Sequence, residues 1–195
     1  MTTNRDKPTC IIIAGPNGAG KTTFALNYLP EYTHCHNFIN ADMIATGLSP
    51  LSPQQEWLRA SRLFLQAIQG CINKREDFCF ETTLSGKTYL HLIKQLLADQ
   101  WHVELYYLWL PSVEMSIKRV AERVAHGGHD IPEQTIIRRY ARGVDNFLNH
   151  YAPLCDDTIC FENSEKISKV IFTQSSTGRN IKNASLLNEM LRINP

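Results

Sequence analysis

An α/β fold with a doubly wound, mainly parallel sheet is predicted from three observations. Short runs that are apolar throughout recur along the chain, the signature of strands buried on both faces. Segments of helical periodicity separate those runs. The first run opens into a glycine-rich turn and then at once into a helix, which is the order of a parallel strand–turn–helix unit.

The elements follow in sequence. Residues 10–14 (Cys-Ile-Ile-Ile-Ala) form the first strand, ended by Gly15-Pro16-Asn17-Gly18. A helix runs from about Lys21 to Tyr28 and is stopped near Pro30. Residues 37–40 make a short second strand. Ser52-Pro53-Gln54-Gln55 reads as a capping box with proline at the first helical position, and Trp57, Ala60, Phe64, Ala67, Ile68 and Cys71 carry a helical period from there to about Asn73. Asp77 to Phe80 is the third strand. A helix from about Ser85 to Ala98 turns Leu90, Ile93, Leu96 and Leu97 inward, and Val103 to Leu110 is the fourth strand. Pro111-Ser112 caps a helix with Val113, Ile117, Val120, Ala121 and Val124 on one stripe. His126-Gly127-Gly128-His129 breaks it, and Asp130-Ile131-Pro132-Glu133 starts another with a second capping box. Thr158–Phe161 and Lys169–Phe172 are two final strands, and a last helix lies near Leu186–Leu191. Residues 1–195 read as a single domain, with a helical lid over about 112–150 and a polar tail over about 175–195.

Twenty Lys and Arg against 19 Asp and Glu leave a formal charge of +1. That excludes binding of nucleic acid or anionic membrane by bulk electrostatics, so any anion must be held by a local site. The polar segment before the first strand does not match a signal peptide, and no apolar run is long enough for a membrane span, so a cytoplasmic location is expected. The six cysteines include no Cys-x-x-Cys pair. Cys35 with His34 and His36 is the one place where metal ligands gather, and no second cluster completes it; reduced, buried thiols are expected instead.

Gly15-Pro16-Asn17-Gly18-Ala19-Gly20-Lys21-Thr22 satisfies G-x-x-x-x-G-K-[ST] at every fixed position. Glycines let the backbone N–H groups curl inward around phosphate oxygens. The helix that follows adds its positive N-terminal end. Residues Gly15 through Thr22, with Thr23, are therefore the expected ATP-binding segment: Lys21 reaches the β- and γ-phosphates and the Thr22 hydroxyl ligates Mg²⁺.

Ligands of an open parallel sheet bind beyond the carboxyl ends of its strands. Asp42 follows the second strand and Glu81-Thr82-Thr83 the third. A carboxylate at Asp42 can take a hydroxyl proton as phosphate is transferred; the alternative is a helix cap. Glu81 can hold Mg²⁺ through water or grip acceptor hydroxyls; the alternative is a strand-end acid facing solvent. Arg119, Arg123, Arg138, Arg139 and Arg142 flank the Gly127-Gly128 break, as a lid over a triphosphate requires. Their alternative is a solvated face paired with Glu114, Glu122 and Glu133. No Asn/Thr-Lys-x-Asp guanine reader appears in the sequence, and no strand ends in the Asp-Glu of transporter-type ATPases. A small phosphotransferase with a lid remains.

The chain resembles the zeta toxin family of P-loop kinases in compact form. The resemblance rests on the phosphate loop with Phe24, Phe38-Ile39-Asn40-Ala41-Asp42, Glu81-Thr82-Thr83-Leu84-Ser85-Gly86, and Arg119-Val120-Ala121-Glu122-Arg123. Gly127 through Glu133 followed by Arg138-Arg139-Tyr140 completes it, so that it covers residues 8–165. It implies a three-layer kinase core with a helical lid and transfer of the γ-phosphate of ATP, with Mg²⁺, to a small-molecule hydroxyl such as that of UDP-N-acetylglucosamine. By the same resemblance Lys21 binds phosphates, Asp42 is the base, and Asp42, Glu81 and Thr82 contact the acceptor. Arg123 with Arg138 or Arg139 supplies the lid charge, and an antitoxin protein is a possible partner. Two alternatives stand beside this: a nucleotide-binding module acting through a protein partner, and a kinase of another acceptor such as a nucleoside or an antibiotic.

Overall fold

The computed structural model describes residues 7–33, 35–128 and 130–193. Seven strands form one sheet in the order β2-β3-β1-β4-β5-β6-β7: β1 Thr9–Ala14, β2 Asn37–Ile39, β3 Phe78–Thr82, β4 His102–Trp109, β5 Asp157–Glu162, β6 Lys169–Ser175 and β7 Gly178–Ile181. The first five are parallel, β6 pairs antiparallel with β5, and β7 pairs antiparallel with β6. Helices α1 Lys21–Tyr32, α2 Ala41–Leu48, α3 Trp57–Lys74, α4 Thr88–Ala98, α5 Val113–Ala125, α6 Glu133–Asn146 and α7 Ala184–Arg192 complete it. The α/β, mainly parallel architecture is the one the apolar runs predict.

All six residues of β1 are buried because both sheet faces are covered. Cys10, Ile12 and Ala14 join one cluster with Phe64 and Ile68 of α3, Ile93 of α4 and Met190 of α7. Ile11 and Ile13 point the other way, toward Ala25 and Leu29 of α1. Val120, Ile131 and Ile136 form a separate small core between α5 and α6. The cysteines among these clusters are buried thiols; burial pushes those of Cys10, Cys79 and Cys160 well up. Among the described residues no group of three His, Cys, Asp or Glu is placed to hold a metal; His34 and His129 lie outside them.

Several boundaries differ from expectation. α1 continues through Pro30 to Tyr32; a proline near a C-terminus forfeits one hydrogen bond, and Leu29 still packs in the core. Ser52 makes no side-chain cap. Pro53–Glu56 is instead a 3₁₀ turn feeding α3, closed by the Gln55 amide on the Ser52 carbonyl at 3.2 Å. The second capping box is also unmade: Pro132 stands at the cap, its carbonyl accepting from the Thr135 and Ile136 amides. Helix α4 begins at Thr88 rather than Ser85. Residues 175–193 contain the edge strand β7 and a helix whose Leu187 and Met190 are buried, so this part of the chain belongs to the sheet and its covering layer. No helix among the described residues is long and apolar enough to cross a membrane.

Candidate active site

Register places the site. Ala14 pairs with Thr82 and Ile39 with Phe80, so the turns after β1, β2 and β3 emerge side by side at the carboxyl edge. Here a cleft of about 800 Å³ opens, within the usual size of a ligand pocket. The phosphate loop, Asn40-Ala41-Asp42, Glu81-Thr82-Thr83, Arg119 and Arg123 of α5, and Thr135, Arg138 and Arg139 of α6 line it.

The loop is tied from behind. Ser116 of α5 donates its hydroxyl to the Asn17 carbonyl. Asn163, after β5, donates its amide to the Ala19 carbonyl at 2.7 Å. The Arg119 guanidinium caps the carbonyls of Asn163 and Ser164 and reaches that of Gly18 at 3.4 Å. Gly18, at φ 76, is pressed so closely that a Cβ there would sit 2.9 Å from the Arg119 Cβ. Gly20 caps α1 with no side-chain bond to the helix's first amides, leaving those donors for an anion.

Lys21 is only 8% exposed, and its Nζ donates to the Pro16 carbonyl at 2.9 Å. Burial lowers its pKa; Glu81 and Asp42 work in the opposite direction, while Arg123 and Arg139 add to the lowering. The folded protein thus holds a lysine poised against desolvation, and phosphate charge would relieve it. Thr22 Oγ1 donates to Glu81 Oε2 at 2.7 Å, and Asn40 Nδ2 approaches the same hydroxyl at 3.5 Å. A hydroxyl and a carboxylate side by side are the hard oxygen donors that Mg²⁺ takes, so the pair fits that ion. Glu81 is therefore packed on the phosphate loop, not turned to solvent.

Asp42 lies in the first turn of α2 and is exposed into the cleft. The helix cap is Asn40, whose side chain accepts from the Met43 amide at 3.0 Å, which leaves the Asp42 carboxylate unused for capping. Thr82 lines the cleft as expected, but its hydroxyl also accepts from the Leu84 amide at 3.2 Å. The arginines divide. Arg123, Arg138 and Arg139 line the cleft, and Arg123 and Arg139 are the two near enough to influence Lys21. Arg142 is exposed and outside the lining. Among the glutamates suggested for arginine pairing, Glu122 pairs with Lys118, at 4.0 Å.

Sequence reasoning passed over several participants. Trp57, read as a core position of α3, is 43% exposed and forms a cleft wall with Ala60 and Ser61. Ser116 and Asn163 hold the loop through contacts that span 99 and 144 residues, for which the local sequence carries no signal. Beside the cleft, across Gly20 and Thr23, a second hollow of about 410 Å³ is bordered by Phe24, Asn27, Tyr28, Asn163 and Ser168.

The fold is shared with several solved structures of low sequence identity. The chain superposes on a chain of the AvrRxo1-ORF1:-ORF2 complex with ATP with a TM-score of 0.75 at 18% identity, covering 94% of this chain and 63% of that one. It therefore spans less than two thirds of that neighbour. The PezAT chromosomal toxin–antitoxin system of Streptococcus pneumoniae matches with a TM-score of 0.62 at 12% identity, over 96% of this chain and 84% of the other. A putative kinase from Chloroflexus aurantiacus gives 0.55 at 12% identity, over 71% and 80%. In sequence, an uncharacterized protein of Haemophilus influenzae is 29% identical over 130 residues, which is 67% of this chain and 91% of that protein. No family model matches the chain.

Proposed function

We propose that the protein is an ATP-dependent phosphotransferase, similar to the zeta toxins, that moves the γ-phosphoryl group to a hydroxyl of a small molecule such as UDP-N-acetylglucosamine. The observation that carries this reading is the convergence of Lys21, the Thr22–Glu81 pair and Asp42 in one cleft. The loop amides and Lys21 bind the phosphates. Thr22 and Glu81 are the residues that would hold Mg²⁺, which would offset the negative charge of the phosphates. Asp42 accepts the proton of the acceptor hydroxyl as its oxygen bonds to the γ-phosphorus. The bond to the bridging oxygen breaks, and ADP leaves with the electron pair. Arg139 and Arg123 offset the charge that develops on the transferring group.

The same geometry ranks the arginines. Arg139→Ala is expected to lower transfer by about 10²-fold, less than a lone arginine finger because Arg123 remains at the same centre. Arg138→Ala is expected to cost under about tenfold, since Arg123 and Arg139 are the arginines whose charge bears most on Lys21. Single-turnover rates of the two variants check the order; equal losses would remove Arg139 from its assigned place.

The reading itself is tested with γ-radiolabelled ATP, Mg²⁺ and a panel of UDP-sugars, nucleosides and aminoglycosides. Label must appear in an organic phosphomonoester. If ATP is hydrolysed slowly and no compound is labelled, the second reading gains: a nucleotide-binding module acting through a protein partner, such as an antitoxin. What favours that reading is that two structural neighbours belong to two-component assemblies by their descriptions.

A further inference from the structure

The loop that follows Thr82 and carries Thr83 is held in a costly shape by one helix face. Leu84 sits at φ 53, in the left-handed region that a branched aliphatic residue seldom enters, yet it is 1% exposed and part of the main core. Three contacts impose that shape. The Asn146 side-chain amide, itself 5% exposed, donates to the Leu84 carbonyl at 2.8 Å. The Tyr151 hydroxyl donates to the Gly86 carbonyl at 2.8 Å. Gly143 lets α6 approach so closely that a Cβ there would stand 2.7 Å from the Thr83 carbonyl oxygen.

These contacts share a helix with the cleft arginines. Arg139, Gly143 and Asn146 follow at i, i+4 and i+7, so they lie on one face of α6 within about 10 Å. The helix then widens into a π turn over Phe147–Tyr151, a feature that recurs at functional sites. That turn is anchored by Phe147 stacked on Tyr107 of β4, centroids 3.9 Å apart. Glu81, by contrast, is positioned by the strand ladder, paired with Ile13, and does not depend on this face.

We infer that this face of α6 is a template that fixes the Thr83–Gly86 loop, directly after β3, relative to Arg139, with Asn146 as the positioning residue for the phosphoryl acceptor. The inference rests on the kinase reading above and adds to it a division of labour. The phosphate loop, Thr22 and Glu81 hold the nucleotide independently. Asn146, Gly143 and Tyr151 hold the acceptor side, acting through the backbone of residues 83–86.

Asn146→Asp keeps the side-chain shape and replaces the donor by an acceptor facing a carbonyl. Tyr151→Phe removes one hydroxyl from a ring that stays packed, and serves if the first variant folds poorly. In either variant, amide exchange in residues 83–87 is expected to speed up about tenfold, the loss of one buried bond, while exchange in β1 and β4 is unchanged. Affinity for Mg²⁺ with the non-hydrolysable analogue AMP-PNP should stay within about twofold. The KM for the acceptor that the panel identifies should rise about tenfold, with the KM for ATP unmoved. Unchanged exchange at 83–87, or a loss of AMP-PNP affinity as large as the loss of transfer, overturns the template. A wild-type protein that labels no acceptor sinks the kinase reading, and the exchange experiment then judges the template alone.

Discussion

Lys21→Ala is expected to remove phosphoryl transfer by more than about 10³-fold, the largest effect of any single substitution in the cleft. The side chain is almost fully buried, and its Nζ has a single carbonyl partner, that of Pro16. Burial disfavours its charge, Arg123 and Arg139 add to that, and Glu81 and Asp42 act in its support. An arrangement of that kind is costly without a ligand and productive with a triphosphate. The substitution should therefore separate two quantities. Turnover falls, while the melting temperature of the unliganded protein stays level or rises, because a desolvated cation has been removed. Calorimetry beside a transfer assay checks both; a large drop in melting temperature would show that Lys21 holds the fold more than the nucleotide.

Asp42→Asn is the second large effect, expected at about 10³-fold on the transfer rate, in the middle of the range for general-base assistance. Asparagine keeps the size and the α2 position but cannot accept a proton. The helix should not suffer, since Asn40 supplies the cap. Affinity for Mg²⁺ with AMP-PNP should change by less than about threefold, because the phosphates are assigned to the loop amides and Lys21 and not to Asp42. Transfer that persists undiminished in this variant would dismiss Asp42 as the base.

How much of this was legible in the sequence depends on the range of the interactions concerned. The strand, turn and helix around the phosphate loop are local, and Gly15 through Thr22 announce them. Asp42 and Glu81 were legible because strand ends in a parallel sheet all face one edge, so position along the chain converts into position in space. The strand β7 was not: Gly178–Ile181 is exposed at every residue and has no alternation to read. Pro30 misled because its rule is local, whereas the burial of Leu29 that sustains α1 is tertiary. Arg119 was grouped with the lid cations, but its guanidinium is spent on the carbonyls of Gly18, Asn163 and Ser164. Nothing in residues 119–123 distinguishes it from Arg123. Asn146 carried no sequence signal either, since its meaning lies in the left-handed backbone of Leu84 sixty-two positions earlier.

The central claim is that one cleft couples ATP cleavage to phosphorylation of a hydroxyl. Its most direct test counts ADP and labelled phosphomonoester in the same reaction, with the wild-type protein, Mg²⁺, γ-labelled ATP and the acceptor panel. The account predicts equal amounts of the two products with at least one acceptor, and neither product above background in Lys21→Ala. ADP accompanied only by free inorganic phosphate, across the whole panel, would contradict it.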